Sequence, residues 1–225
     1  TYLNDESKPF KLISVSVFLS FFPTVMAGPI ERAHRIIPQL ERENRFTTDN
    51  FSKGFALISI GYLRKVLIGD AAGKIADQIF ASPEYYLSTE LIFGVLLFTI
   101  QIYNDFAGYS MIAKGAAKLL GIDIMDNFNQ PYLSASVTDF WRRWHISLST
   151  WLRDYLFVPL QIIFRNNKVW GNVIALIITF SLCGLWHGAN WNFIFWGFLH
   201  GFFMSFSLLT QKKRDSIIQS VGLFS

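Results

Sequence analysis

The chain has 225 residues, of which 52% are hydrophobic and 17% aromatic, while only 16% are charged. A soluble domain carries about 25% charged residues, so this composition, with 23 phenylalanines and a mean hydropathy of +0.32, excludes an ordinary soluble domain and indicates a bundle of membrane spans. The net charge of +4 does not indicate nucleic-acid binding, because the basic residues sit at span ends and in loops, as at a bilayer surface, and the single cysteine excludes both an internal disulfide and an all-cysteine metal site.

Residues 11–27 (KLISVSVFLSFFPTVMA) read as a first apolar stretch, just long enough to cross a bilayer, ending where Gly28-Pro29 should break a helix. Residues 29–50 carry four arginines, one histidine, three glutamates and an aspartate, and read as an interfacial loop. A second span is expected over 51–69, with Arg64 and Lys65 snorkelling to the headgroups, then a less hydrophobic connection to about Thr89 with a turn at Ser82-Pro83. The third span, from Glu90 to about Leu120, has an apolar half (LIFGVLLFTI) and a polar one (QIYNDFAGYSMIAKGAAKLL). Gln101, Asn104, Asp105, Tyr109 and Ser110 must therefore face a protein interior or a water-filled cavity.

Residues 121–135 read as a loop, and Ser136 with Asp139 resembles a capping box that opens a helix. On that helix Trp141, Trp144, Leu148, Trp151 and Tyr155 form one apolar stripe, and Arg142, His145, Ser149 and Arg153 another. It is too charged to span, so it should lie in the interface or re-enter among other helices. Trp170–Trp186 and Trp191–Leu209 read as two further spans, with a break at Gly188-Ala189-Asn190 and an anchor at 212–214. Basic residues favour a cytoplasmic position for 29–50 and for the loop after residue 114, with Arg64, Lys65 and Lys74 arguing for the opposite side. Thr1 rather than Met opens the sequence and no signal peptide is visible, so a piece of a longer polytopic chain is expected. The fold class expected is all-α, a polytopic membrane helix bundle with interfacial or re-entrant amphipathic helices.

Candidate chemistry centres on polar groups set in apolar surroundings. His187, between Trp186 and Gly188 and close to Asn190, is either a base facing a substrate or a histidine that hydrogen-bonds a neighbouring helix. His145, beside Arg142, is either catalytic or a solvated interfacial group, and Asp105 with Asn104 and Gln101 is either a proton or ion site or a structural network. Cys183, in an apolar run, reads as an inert small hydrophobe. HExxH, CxxC and GxSxG are all missing, which takes weight from metal hydrolysis and serine acyl-enzyme chemistry. A general base without its own nucleophile remains, suited to moving a group from an activated donor to a substrate hydroxyl.

The runs FFPTVMAGPIER (21–32), QIYNDFAGYSMIAKGAAKLLG (101–121), DNFNQPYLSASVTDFWRRWHISLSTWLRDYLFVPL (126–160) and LCGLWHGANWNFIFWGFLHG (182–201) closely resemble the membrane-bound O-acyltransferase family, in particular its polysaccharide-acetylating bacterial branch. The resemblance covers nearly the whole chain, so residues 1–225 are expected to form a single, incomplete membrane domain of that type. It implies a many-helix enzyme with a funnel on each face, set in a bacterial inner membrane. It maps the signature histidine of the WHG context onto His187 and a second histidine, in RRWHISLS, onto His145. It further implies an acetyl thioester donor, acetyl-CoA or another, entering from the cytoplasm, no bound cofactor or metal, and a polysaccharide acceptor outside, reached in many cases through a periplasmic partner. On that reading His187 is the base or an acyl relay and His145 orients a substrate or assists proton transfer. Asn190, Trp186, Arg142 and Asp105 are candidate substrate contacts, and Arg142 and Arg143 would face donor phosphates or anchor at headgroups. The rival readings are D-alanyl transfer to teichoic acid, a proton-coupled transporter using Asp105 and the histidines, and a non-catalytic scaffold.

Overall fold

The computed structural model describes residues 10–26, 28–43 and 47–221, with side chains to residue 216. It contains helices and no strand among the described residues, and it divides into two compact units, 1–127 and 128–225. Among the described residues, three helices are long and apolar enough to cross a membrane, over Ser88–Leu119, Val169–His187 and Trp191–Ser216.

In the first unit, α1 (Leu12–Leu19) stops after eight residues and α2 (Phe22–Val25) follows as a single turn. The span expected over 11–27 is thus too short to cross. Pro23 cannot supply the amide that would continue α1, and Ser20 turns its hydroxyl back onto the Ser16 carbonyl at 2.8 Å. The interfacial segment folds into α3 (Ala33–Glu41), which buries Ile36 and Ile37. Phe21, Ile36, Ala117, Ile122 and Ile124 form the apolar core of this unit.

α4 (Thr48–Tyr62), capped by the Thr47 hydroxyl, runs without a break through a π-helical stretch, Leu63–Gly69, into α5 (Asp70–Ala81). The connection expected over 70–81 is therefore helical, because the run of alanines and Ile79 gives it an apolar face to bury. The turn at Ser82-Pro83 is present. α6 (Ser88–Leu119) returns antiparallel along the whole length of this helix. Two glycine pairs set the approach: a Cβ on Gly61 would stand 2.7 Å from the Gly108 carbonyl, and one on Gly115 would stand 2.6 Å from that of Gly54. Small residues at matched positions let helix backbones touch where hydrocarbon offers no hydrophobic driving force between helices.

The second unit begins with the irregular stretch expected before residue 136, then α7 (Val137–Arg143), α8 (Ile146–Leu152), a π-helical stretch Arg153–Phe157, and α9 (Val158–Ile163). Ser136 caps α7 as expected, its hydroxyl accepting the Asp139 amide at 3.1 Å. The single amphipathic helix expected there is broken at Trp144-His145, where His145 takes a left-handed backbone, φ 43° and ψ 53°. α10 (Val169–His187) and α11 (Trp191–Val221) then pack antiparallel, and α11 continues through 212–214 instead of ending near Leu209.

Candidate functional site

α10 ends at His187 because Gly188 and Ala189 leave the helix and Asn190 opens the next one. The Asn190 side-chain oxygen accepts the Asn192 amide at 2.9 Å, an N-cap for α11, which makes the Gly188-Asn190 break a built hairpin. Close packing of α10 on α11 then fixes what faces His187. A Cβ on Gly184 would lie 2.1 Å from the Phe193 carbonyl, and one on Gly197 would lie 2.2 Å from that of Phe180. Only glycine allows this approach, and it brings Trp196 edge to face with the His187 ring, 5.3 Å between centroids at 87°. Trp186 flanks the same imidazole at 4.9 Å and is itself exposed, as are His187 and Asn190.

The ring cluster continues inward. One turn beyond Trp196, His200 packs against it at 4.7 Å, and Trp141 of α7 donates its Nε1–H to His200 Nδ1 at 3.3 Å. Trp141 also meets Phe180 at 5.0 Å and Trp196 at 6.1 Å, and with Leu176 and Phe180 it forms the core of this unit. His200 was not singled out from the sequence. An ionisable group inside an apolar span, four residues after Trp196 and so on the same helix face, was the signal that could have found it.

His145 is buried, 6% exposed, at the joint between α7 and α8, with the Ser147 hydroxyl 3.4 Å from its Nδ1. Burial, and after it the nearby His187, push its pKa down to about 4, so at neutral pH it is uncharged. A non-glycine residue in the left-handed region costs about 1–3 kcal/mol and is held there only by its surroundings. The solvated histidine offered as one reading of the sequence is therefore excluded. Arg143 bonds Asp139 at 2.9 Å one turn back and holds that carboxyl below the usual carboxylate range. Arg143 is thus engaged within α7, while Arg142 is exposed.

Beside Trp141, a cavity of about 530 Å³ opens within the second unit, largely apolar, with Arg142, Arg153, Ser149 and the buried Thr179 among its lining. The Thr179 hydroxyl is buried without a hydrogen-bond partner. Asp105 belongs to the first unit, where Lys65 Nζ sits 2.6 Å from its carboxylate and 2.5 Å from that of Asp70. Asn104 and Ser110 are buried as expected; Tyr109 is exposed, with Lys65 Nζ 5.3 Å from its ring centroid. Cys183 is buried, in keeping with a packing role. Among the described residues, no group of three or more His, Cys, Asp or Glu side chains converges as a metal site would require.

The model of the membrane-bound O-acyltransferase family matches residues 3–215. A probable alginate O-acetylase AlgI of Azotobacter vinelandii is 42% identical over 89% of the chain and 39% of its own length. A peptidoglycan O-acetyltransferase of Helicobacter pylori is 37% identical over 90% of the chain and 39% of its own length. A teichoic acid D-alanyltransferase of Bacillus subtilis is 33% identical over 84% of the chain and 49% of its own length. The chain thus spans about 40% of the length of the alginate-type relatives it matches.

Proposed function

The chain belongs to the membrane-bound O-acyltransferase family, and we propose that it carries the acyl-transfer centre of a membrane enzyme that moves an acetyl group from a thioester to a polysaccharide hydroxyl. The observation that carries this reading is the setting of His187: an imidazole at the end of an apolar helix, clamped between Trp186 and Trp196 and open on its remaining side. In the proposed reaction an imidazole nitrogen of His187 takes the proton of the acceptor hydroxyl as its oxygen attacks the thioester carbonyl. The tetrahedral adduct collapses with cleavage of the C–S bond, and the departing thiolate takes the proton back as a thiol. His145, neutral and buried, orients the acceptor or the adduct; if the acetyl group rests on His187 itself, the same geometry serves a relay.

The apolar cavity beside Trp141 suits the arm of a thioester donor, with Arg142 and Arg153 toward its anionic end. Trp186 and the Asn190 amide line the acceptor side, and Asp105 acts at one remove, as a partner of Lys65. Residues 1–225 would work as one membrane domain in the bacterial cytoplasmic membrane, with acetyl-CoA or another thioester on the inside and a periplasmic acetyltransferase partner handing the group to the glycan. The D-alanyl reading has its own support in the Bacillus subtilis relative, at lower identity.

Deleting the native gene and measuring acetate and D-alanine released by mild alkali from cell-surface glycans separates the two. Loss of acetate alone supports acetylation, loss of D-alanine alone replaces it with the teichoic acid reading, and loss of neither overturns both.

A further inference from the structure

His200 lies thirteen residues beyond His187 and sits behind the reacting edge, between Trp141 and Trp196. An indole N–H can only donate, so the 3.3 Å bond from Trp141 Nε1 requires the lone pair on His200 Nδ1. His200 is thereby held in its Nε2–H tautomer, and protonation at Nδ1 would break the bond. The two indoles it joins are the ones that matter for the two candidate catalytic histidines. Trp196 presents its ring to the His187 imidazole at 5.3 Å. Trp141 stands four residues before His145, on the helix that runs into the strained joint where His145 sits.

We propose that His200 is a positioning residue: by fixing Trp141 through Nδ1 and packing edge to face on Trp196, it sets the ring frame that orients His187 and anchors the helix leading to His145. It touches no reacting atom. The inference rests on the reading of His187 as base or relay. Glycine packing already holds α10 and α11 together, and His200 adds the finer task of fixing ring planes, where a misplacement of about 1 Å can cost a hundredfold in rate.

The test uses the intact native gene product in its own membrane, reading the initial rate of glycan O-acetylation after induction, normalised to protein abundance by blot. His200→Asn places an amide oxygen close to the Nδ1 position, whereas His200→Gln reaches only the Nε2 side. Expected results are a loss of about tenfold for His200→Ala and His200→Gln, a rate within about threefold of wild type for His200→Asn, and a loss for Trp141→Phe matching that of His200→Ala. The double variant His200→Ala with Trp141→Phe should be no slower than the worse single one, because both remove one bond. An unchanged rate in His200→Ala, an Asn variant as slow as the Ala variant at equal abundance, or losses that multiply in the double variant would each overturn the inference. A His187→Ala control keeps the failures apart: if it abolishes O-acetylation while His200→Ala does nothing, only the His200 inference falls, and if it has no effect, the reading of His187 falls.

Discussion

The two units answer the same problem, polar groups on apolar helices, in opposite ways. In the first, charge is met with charge: Lys65 clamps Asp70 and Asp105, Lys118 pairs with Asp123 at 2.7 Å, and Lys114 pairs with Asp126. In the second, His187 packs against Trp186 and Trp196 and His200 against Trp141, Trp196 and Phe180, while His145 is buried at the joint between α7 and α8. Paired charges are locked and hold the scaffold. Imidazoles set among apolar neighbours can take a proton, which suits a site where a hydroxyl must be deprotonated.

The contrast can be broken most severely at the hairpin that faces Trp196 toward His187. Gly184→Val would drive a side chain into the Phe193 carbonyl and should cost about 3 kcal/mol or more, read as lost membrane abundance and a lowered thermal midpoint in detergent. Gly73→Ala in the first unit meets only the end of the Gln101 side chain and should cost less than about 1 kcal/mol by the same readout.

Acid should expose the second unit next. The folded pKa of His145, about 4, lies below its ordinary value of 6.5. Above pH 6.5 both folded and unfolded forms are neutral and the group contributes nothing to the pH dependence. As pH falls from 6.5 toward 4, only the unfolded chain gains the proton, so stability drops, by about 2 kcal/mol at pH 5. Thermal midpoints across this window should fall in the wild type and fall less in His145→Gln.

Lys65→Met would leave two half-buried carboxylates facing each other, at a cost of about 1–2 kcal/mol after allowing for their exposure. Adding Asp105→Asn should recover part of the midpoint, which marks the clamp as structural. A smaller effect than at Lys65 is expected at Asn190: Asn190→Ala removes the α11 cap and should cost about 1 kcal/mol. Asn190→Asp keeps the capping oxygen, so a normal midpoint with slower transfer would assign its amide to the substrate.

Sequence pattern was enough to place α6, α10, the Gly188-Asn190 break and the Ser136 cap, since each is written locally, in an apolar run, a glycine or a capping hydroxyl. It misplaced the first span, where Pro23 overrides an apolar composition, and it drew one helix through His145, because only tertiary packing holds a histidine in a left-handed turn. His187 and His145 stood out by their surroundings and by resemblance to known motifs. The Trp141–His200 bond joins residues 59 positions apart and has no periodic trace in the chain.

The role of His187 is tested most simply by His187→Ala in the native gene, with O-acetyl content of cell-surface glycans measured against protein abundance in the membrane. Acetylation should disappear while the protein remains at its normal level. Unchanged acetylation at normal abundance would contradict that role and leave His187 a packing partner of Trp196.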